Sequence, residues 1–462
     1  MSRYDLLVIG SGPAGQRAAI QAGKLGKKVA IIERRSMLGG VSVHTGTIPS
    51  KTLRVAALYL SGWDQRGLYG HSYRLKSDLT IDDLMQRVNI TLQHEMDVIR
   101  SQLSRNGVTI IEGVAKFKND HELTVESVDG QEKDYYGEKI VVAVGSRPVR
   151  PDGIDFDNEH IIDSDGILNL NKLPKHLVVV GAGVIGGEYA SIFSTLDIEV
   201  TLLDGRDNMM GFMDRELIDE LIHSLRKRGV TVRLGETVSS VANIENDRVE
   251  LTLESGKRIR ADMALFAAGR IGCTYQLELD KAGVEMDDRR RIDVNEHFQT
   301  NVPHIYAVGD VIGFPALAST SMEQGRLAAV HAFNGKGATT SENFPFGIYA
   351  VPEMSMVGMT EQQLTEKQIP YEVGVARLRE TARGQIMGVE EGILKMLFGL
   401  EDHKLLGVHI LGEDATEMIH IGQAVMVLNG KLEYFLENVF NYPTLAEAYK
   451  MAALDAWNKL NT

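Results

Sequence analysis

One supersecondary unit is written twice in this chain. The first copy, YDLLVIGSGPAG, is an apolar run from Leu6 to Ile9 that ends in Gly10, Gly12 and Gly15 at G-x-G-x-x-G spacing. A helical pattern follows, then a second apolar run, Lys28 to Ile32, closed by Glu33. The second copy, HLVVVGAGVIGGEYA, sets Gly181, Gly183 and Gly186 after its strand, followed by a helix and IEVTLLD, closed by Asp204. Residue 33 less residue 10 and residue 204 less residue 181 both give 23. Each residue type has a task. The first glycine permits the tight turn, the second lets backbone approach a pyrophosphate, and the third lets helix and strand pack closely. The helix N-terminus offers unpaired N–H groups to phosphates. The terminal acid accepts hydrogen bonds from a ribose diol. A lone glycine fingerprint is weak, but the whole unit, in order and repeated at equal spacing, predicts two dinucleotide-binding domains.

Bulk properties narrow the class. At 462 residues and 44% hydrophobic, the chain has material for two to four globular domains. A net charge of −14 with no basic block argues against nucleic acid as a partner. The single cysteine, Cys273, excludes an intramolecular disulfide framework and suits a cytoplasmic setting. The first strand begins within a few residues of Met1, so no signal peptide is expected, and no apolar run is long enough to span a membrane. No metal site is expected.

Other segments sharpen the reading. TNVPHIYAVGD is a short apolar strand ending at Gly309-Asp310, and PALAS follows with Leu317 and Ala318. KIVVAVGSRP and MALFAAGR are apolar strands followed by Gly145 and Gly269. Together with the fingerprints, GTIPSKTLR, HIGQAV and NYPTLAEAYK, these segments resemble the flavin disulfide-reductase family over nearly the whole chain. The resemblance implies an α/β fold: two Rossmann-like dinucleotide-binding domains plus a C-terminal α+β dimerisation domain. It divides the chain into an FAD-binding domain (1–150 and 271–340), an NAD(P)-binding domain (151–270) and an interface domain (341–462) that makes a homodimer or higher homo-oligomer. It implies FAD as cofactor, with NAD(H) and NADP(H) as substrates. It assigns cofactor contacts to Arg34, Gly39, Gly40, Val41, Ser42, Lys51 and Asp310, with Leu317 and Ala318 near the flavin ring. Lys51 and Glu188 are the catalytic pair that it implies.

Two family landmarks are altered. The family writes the start of its redox helix with a cysteine, four residues and a second cysteine, where this chain has Ser42 and Thr47. Hydroxyls form no disulfide. The family's His-Pro-Thr segment reads NYPT here, so Tyr442 stands in place of the histidine. A phenol, with a reference pKa of about 10, is a poor base near neutrality beside imidazole at about 6.5. Glu447 remains, and Thr444-Leu-Ala-Glu447 fits a helix capping box. The dithiol and its proton shuttle are both missing. Hydride transfer needs neither, and the implied activity is FAD-dependent hydride exchange between NADPH and NAD+. A flavin-dependent NAD(P)H oxidase or quinone or dye reductase, and a non-catalytic FAD-binding sensor or interaction protein, are the alternatives.

Coenzyme choice turns on Asp204 and Arg206. An acid at the end of the second strand favours NAD(H) and repels a 2′-phosphate. Two unit charges about 4 Å apart interact by roughly 4 kcal/mol at an effective dielectric of 20. Arg206 offsets that by engaging the phosphate, which suits a site that accepts both coenzymes. Beyond the fingerprints, helical spacing of Leu84, Val88, Ile90, Leu92, Val98 and Leu103 predicts a helix packed on the core. NGKGATTSEN reads as a loop before the last domain, whose strands GILKMLFGL and LLGVHIL precede helices. With no redox pair, Cys273→Ser is expected to turn over at the wild-type rate. A rate loss that tracks thiol modification would contradict this.

Overall fold

The computed structural model describes residues 1–70, 72–333, 335 and 343–461. Its α/β chain forms two compact units: residues 1–53, 85–149 and 269–341, and residues 54–84, 150–268 and 342–462. Most of the expected loop NGKGATTSEN lies outside the described residues.

The first unit is built on a mostly parallel sheet. Its order is Thr109–Glu112, Val29–Glu33, Ser2–Ile9, Glu132–Val142, Glu122–Glu126 and Val114–Phe117, with Ile305–Ala307 also pairing with Glu132–Val142. The strand Ser2–Ile9 is buried on both faces over its second half, residues 6–9. Leu6 and Val8 join the core under the helices Pro13–Lys24 and Ala318–Ala332, while Leu7 and Ile9 join the opposite core with Phe117 and Leu123. A central parallel strand covered on both sides must be apolar at successive positions, and residues 6–9 are.

The second unit contains another parallel sheet, in the order Thr231–Leu234, Glu199–Asp204, His176–Val180, Met263–Phe266 and Ile161–Asp163. Residues 342–461 add a five-stranded antiparallel sheet, in which Ile393–Gly399 and Leu405–Leu411 pair centrally. The helices Ala415–Val427, Leu432–Glu437 and Glu447–Leu460 follow.

Two local expectations are corrected. The helix Ile81–Arg105 forms, but Ile90 and Val98 are exposed, at 54% and 48%. Its buried stripe is Ile81, Leu84, Val88, Ile99 and Leu103, with Leu92 and Met96 packed at its side. Ile90 follows Val88 by two residues, so it points away from the face that three- and four-residue steps define. The capping box at Thr444 does not form. The last helix begins at Glu447 with Ala446 as its N-cap, and the Thr444 hydroxyl donates to Asn441 O at 2.7 Å.

The two fingerprints fold alike. Gly10 and Gly181 have φ of +103° and +109°, a region that other residues rarely enter. A methyl at Gly15 would strike Gly10 O, and one at Gly186 would strike Gly181 O. A methyl at Gly12 or Gly183 meets nothing within 4 Å. Gly12→Ala is therefore expected to keep the stability of the apoprotein within about 1 kcal/mol. Gly15→Ala is expected to cost about 1–3 kcal/mol or more, because backbone must shift. Urea melts of the two apoproteins check this, and equal losses would contradict it.

Candidate functional site

In each copy the turn is fixed by a carboxylate. Glu33, 5% exposed, accepts from Ser11 N at 2.9 Å and from Arg35 N at 3.1 Å. Asp204, 7% exposed, accepts from Ala182 N at 2.6 Å and from Arg206 N at 2.8 Å. These are the same positions in both repeats. Each acid locks the residue between the first two glycines onto the end of the second strand. That aims the following helix, Pro13–Lys24 or Val184–Ser194, with Gly12 or Gly183 as its N-cap. Glycine at each N-cap brings no side-chain acceptor of its own to the first-turn N–H groups that a phosphate would meet.

In the first unit these features open into a cleft at the carboxyl ends of the parallel strands. Of the residues expected there, Gly10, Gly12, Glu33, Arg34, Gly40, Val41, Ser42, Gly145, Asp310 and Ala318 line it. Four stand behind or beside it. Gly15 packs under the turn, Gly39 donates its N–H to Ser11 Oγ at 2.9 Å, and Leu317 is the N-cap of the helix Ala318–Ala332. Lys51 lies on the helix Thr47–Ser61, with Nζ 3.3 Å from Ser50 Oγ. The expected redox helix is two pieces, Gly40–His44 and Thr47–Ser61. Ser42 and Thr47, one from each piece, both face the cleft.

Asp310 also lines the cleft. Burial pushes its carboxyl above the ordinary range, opposed by a hydrogen bond from Ser146 and the charge of Arg270. Ser146 Oγ donates to Asp310 Oδ2 at 2.8 Å and accepts from Arg270 Nε at 2.8 Å.

In the second unit Gly181, Gly183, Gly186, Glu188, Asp204 and Arg206 belong to one βαβ module. Gly269, which follows its strand Met263–Phe266, begins the return to the first unit. Arg206 clasps the acid, with Nε 3.0 Å from Asp204 Oδ1 and Nη2 2.8 Å from Oδ2. Burial acts to raise the Asp204 carboxyl, but the hydrogen bonds from Arg206 and Ala182 outweigh it and hold the group below its usual value. The Arg206 side chain is 60% exposed.

Sequence reasoning missed several residues. Ser11, fully buried, donates Oγ to Glu33 Oε2 at 2.6 Å while receiving Gly39 N. It occupies the unrestricted position of the fingerprint, so no pattern singles it out. Ser146 and Arg270 each directly follow a glycine that was singled out, which was an available signal. Cys273 lines the first cleft and donates its N–H to Gly145 O at 3.0 Å. Tyr442 is 68% exposed.

Two clusters among the described residues have metal-ligand spacing, and neither is arranged for an ion. Asp214, Glu216 and Glu361 surround the buried Lys395 ammonium, which fills the point a cation would take. Beside Asp120, the rings of His121 and His304 stack at 3.8 Å and 8°, so their in-plane lone pairs do not converge.

Comparison with known proteins agrees with this architecture. The pyridine nucleotide-disulphide oxidoreductase family matches residues 4–325, and its dimerisation domain matches residues 344–453. The chain is 56% identical, over 100% of its length and 98% of the relative, to a soluble pyridine nucleotide transhydrogenase of Mycobacterium bovis (strain BCG / Pasteur 1173P2). It is 45% identical to a protein of the same name from Colwellia psychrerythraea, over 99% of this chain and 98% of that one. Among solved structures it resembles the HOCl-induced flavoprotein disulfide reductase RclA from Escherichia coli, with TM-score 0.88 and 28% identity over 98% of this chain and 99% of that one.

Ser11→Ala removes the hydroxyl that joins Glu33 to Gly39 and leaves buried partners unsatisfied. A loss of about 1–3 kcal/mol in urea unfolding is expected, with faster release of bound dinucleotide. Unchanged stability and unchanged release would show that the hydroxyl does not hold the turn.

Proposed function

The chain belongs to the pyridine nucleotide-disulphide oxidoreductase family, and we propose that within it the protein is an FAD-dependent NAD(P)+ transhydrogenase, exchanging hydride between NADPH and NAD+. One observation carries the reading past the family: Ser42 and Thr47 face the cleft where a dithiol would stand, and the chain has no second cysteine to pair with Cys273. Electrons that enter on a pyridine nucleotide have no thiol exit. The names of the full-length relatives support the same conclusion.

The first cleft fits the cofactor on its own geometry. The turn at Gly10 and Gly12 and the uncapped helix N-terminus suit a diphosphate, and Glu33 suits a ribose diol. Gly145, Asp310 and Ala318 would hold the remainder. Bound there, FAD supplies a carrier that accepts hydride from one nicotinamide and returns it to another. Lys51, with Glu188 as its carboxylate partner, would set positive charge where negative charge develops during transfer. Tyr442 would not replace an imidazole base, and none is needed.

Both coenzymes would use the second module in turn. NAD(H) would take the Asp204 carboxylate through its ribose hydroxyls. For NADP(H), Arg206 would leave Asp204 and meet the 2′-phosphate. With Arg206 on the phosphate, its positive charge would offset part of the repulsion expected from Asp204. A homodimer formed through the dimerisation domain, in the cytoplasm, fits this chemistry.

The proposal requires ping-pong kinetics: parallel double-reciprocal plots, inhibition by excess of either coenzyme, and label from the transferred hydrogen of NADPH recovered on the acceptor nicotinamide. Intersecting plots, or label lost wholly to water, would rule out one shared pocket. Arg206→Ala should raise KM for NADP(H) on the order of tenfold with less effect on NAD(H). Equal effects on both coenzymes would show that the guanidinium does not read the ribose.

A further inference from the structure

Residues 349–353 connect the antiparallel strands Phe346–Ile348 and Met354–Gly358. The backbone of such a turn usually bonds across itself or to water. Here side chains from three helices take it. Tyr349 N–H donates to Glu188 Oε1 at 2.9 Å, and Val351 N–H donates to Ser191 Oγ at 3.0 Å. Arg54 Nε donates to Ala350 O at 3.1 Å, and Arg228 Nη2 donates to Val351 O. Arg54 also pairs with Glu353 at 3.0 Å, and Glu353 accepts from Thr416 Oγ1 at 3.0 Å. Glu188 and Ser191 lie on the helix Val184–Ser194, Arg54 on Thr47–Ser61, and Arg228 caps Arg215–Lys227. Ser191 and Ala350 are fully buried, Glu188 is 4% exposed and Arg54 6%.

A carboxylate is a costly acceptor with which to anchor one N–H in a dry place, because its charge must be desolvated. A hydroxyl does the same two residues along, at Val351. The use of an acid makes physical sense if the loop serves the acid. We infer that the loop 349–353 is a positioning device for Glu188, and that Ser191 and Arg54 are positioning residues for hydride transfer. Ser191 links the loop to the Glu188 backbone: its Oγ receives Val351 N–H and donates to the Glu188 carbonyl at 2.7 Å. Arg54 lies three residues beyond Lys51, about one turn along the same helix. One loop thus fixes the helix segment after the lysine and the carboxylate read as its partner. The inference rests on the reading of Lys51 and Glu188 given above.

The test uses FAD-loaded protein with Ser191→Ala, Arg54→Ala, Arg54→Lys and Glu188→Gln. Flavin content, melting temperature, kcat and KM for both coenzymes, and the flavin absorbance change on adding NADP+ are measured. Ser191→Ala and Arg54→Ala should lower kcat by about three- to tenfold, as one lost hydrogen bond allows, with each KM within about twofold. Both should alter the NADP+-induced absorbance change. Arg54→Lys, which keeps charge opposite Glu353, should recover part of the rate. A lower melting temperature with kcat and the absorbance change intact would overturn the inference. Glu188→Gln separates the two readings. If it retains full kcat, the reading of Lys51 and Glu188 fails first. If it is crippled while Ser191→Ala and Arg54→Ala turn over normally, only the positioning role fails.

Discussion

The hydrogen bond from backbone N–H to the acid at the end of the second strand underlies both nucleotide modules. Glu33 holds Ser11 N, and Asp204 holds Ala182 N. Because the acid is rooted in the sheet and the N–H belongs to the glycine turn, the bond fixes the turn against the strand ends. The helix that follows is then aimed with its uncapped N-terminus at the phosphate position. A charge-assisted bond in a buried place resists loosening, since an unpaired carboxylate there is costly. The carboxylate therefore builds the site before any ribose reaches it.

The modules differ in what the residue two positions beyond the acid contributes. Arg35 gives Glu33 a backbone N–H, whereas Arg206 gives Asp204 a backbone N–H and both arms of its guanidinium. The first acid is held by backbone donors and the Ser11 hydroxyl, whereas the second is neutralised by one exposed side chain. Under the proposed function, that difference would make the first site fixed and the second adaptable.

Much of this was legible because a strand–turn–helix unit with glycines at fixed offsets has few physical readings, and its repetition at equal spacing leaves fewer. Glu33, Asp204 and Asp310 stood at strand ends and were readable as such. Ser11 was hidden because any small residue fits between the first two glycines, and its value lies in a contact with Gly39 that only the folded loop creates. The chain from Arg270 through Ser146 to Asp310 joins three distant segments that the strand order brings together. Apolar type alone misled at Ile90 and Val98, where helical phase decides burial. At Thr444 a valid capping sequence was overridden by a later helix start, which leaves Glu447 Oε2 buried without a hydrogen-bond partner among the described residues. The clamp on residues 349–353 had no sequence signature, because its acceptors and donors are ordinary helix residues.

The central claim is that hydride enters and leaves through nicotinamide with no thiol between. The most direct measurement is anaerobic stopped-flow absorbance of the FAD-loaded protein, mixed first with NADPH and then with NAD+. The account predicts loss of oxidised-flavin absorbance without a long-wavelength thiolate band, followed by full recovery on NAD+. A flavin that NADPH reduces but that only oxygen or a quinone reoxidises would contradict it.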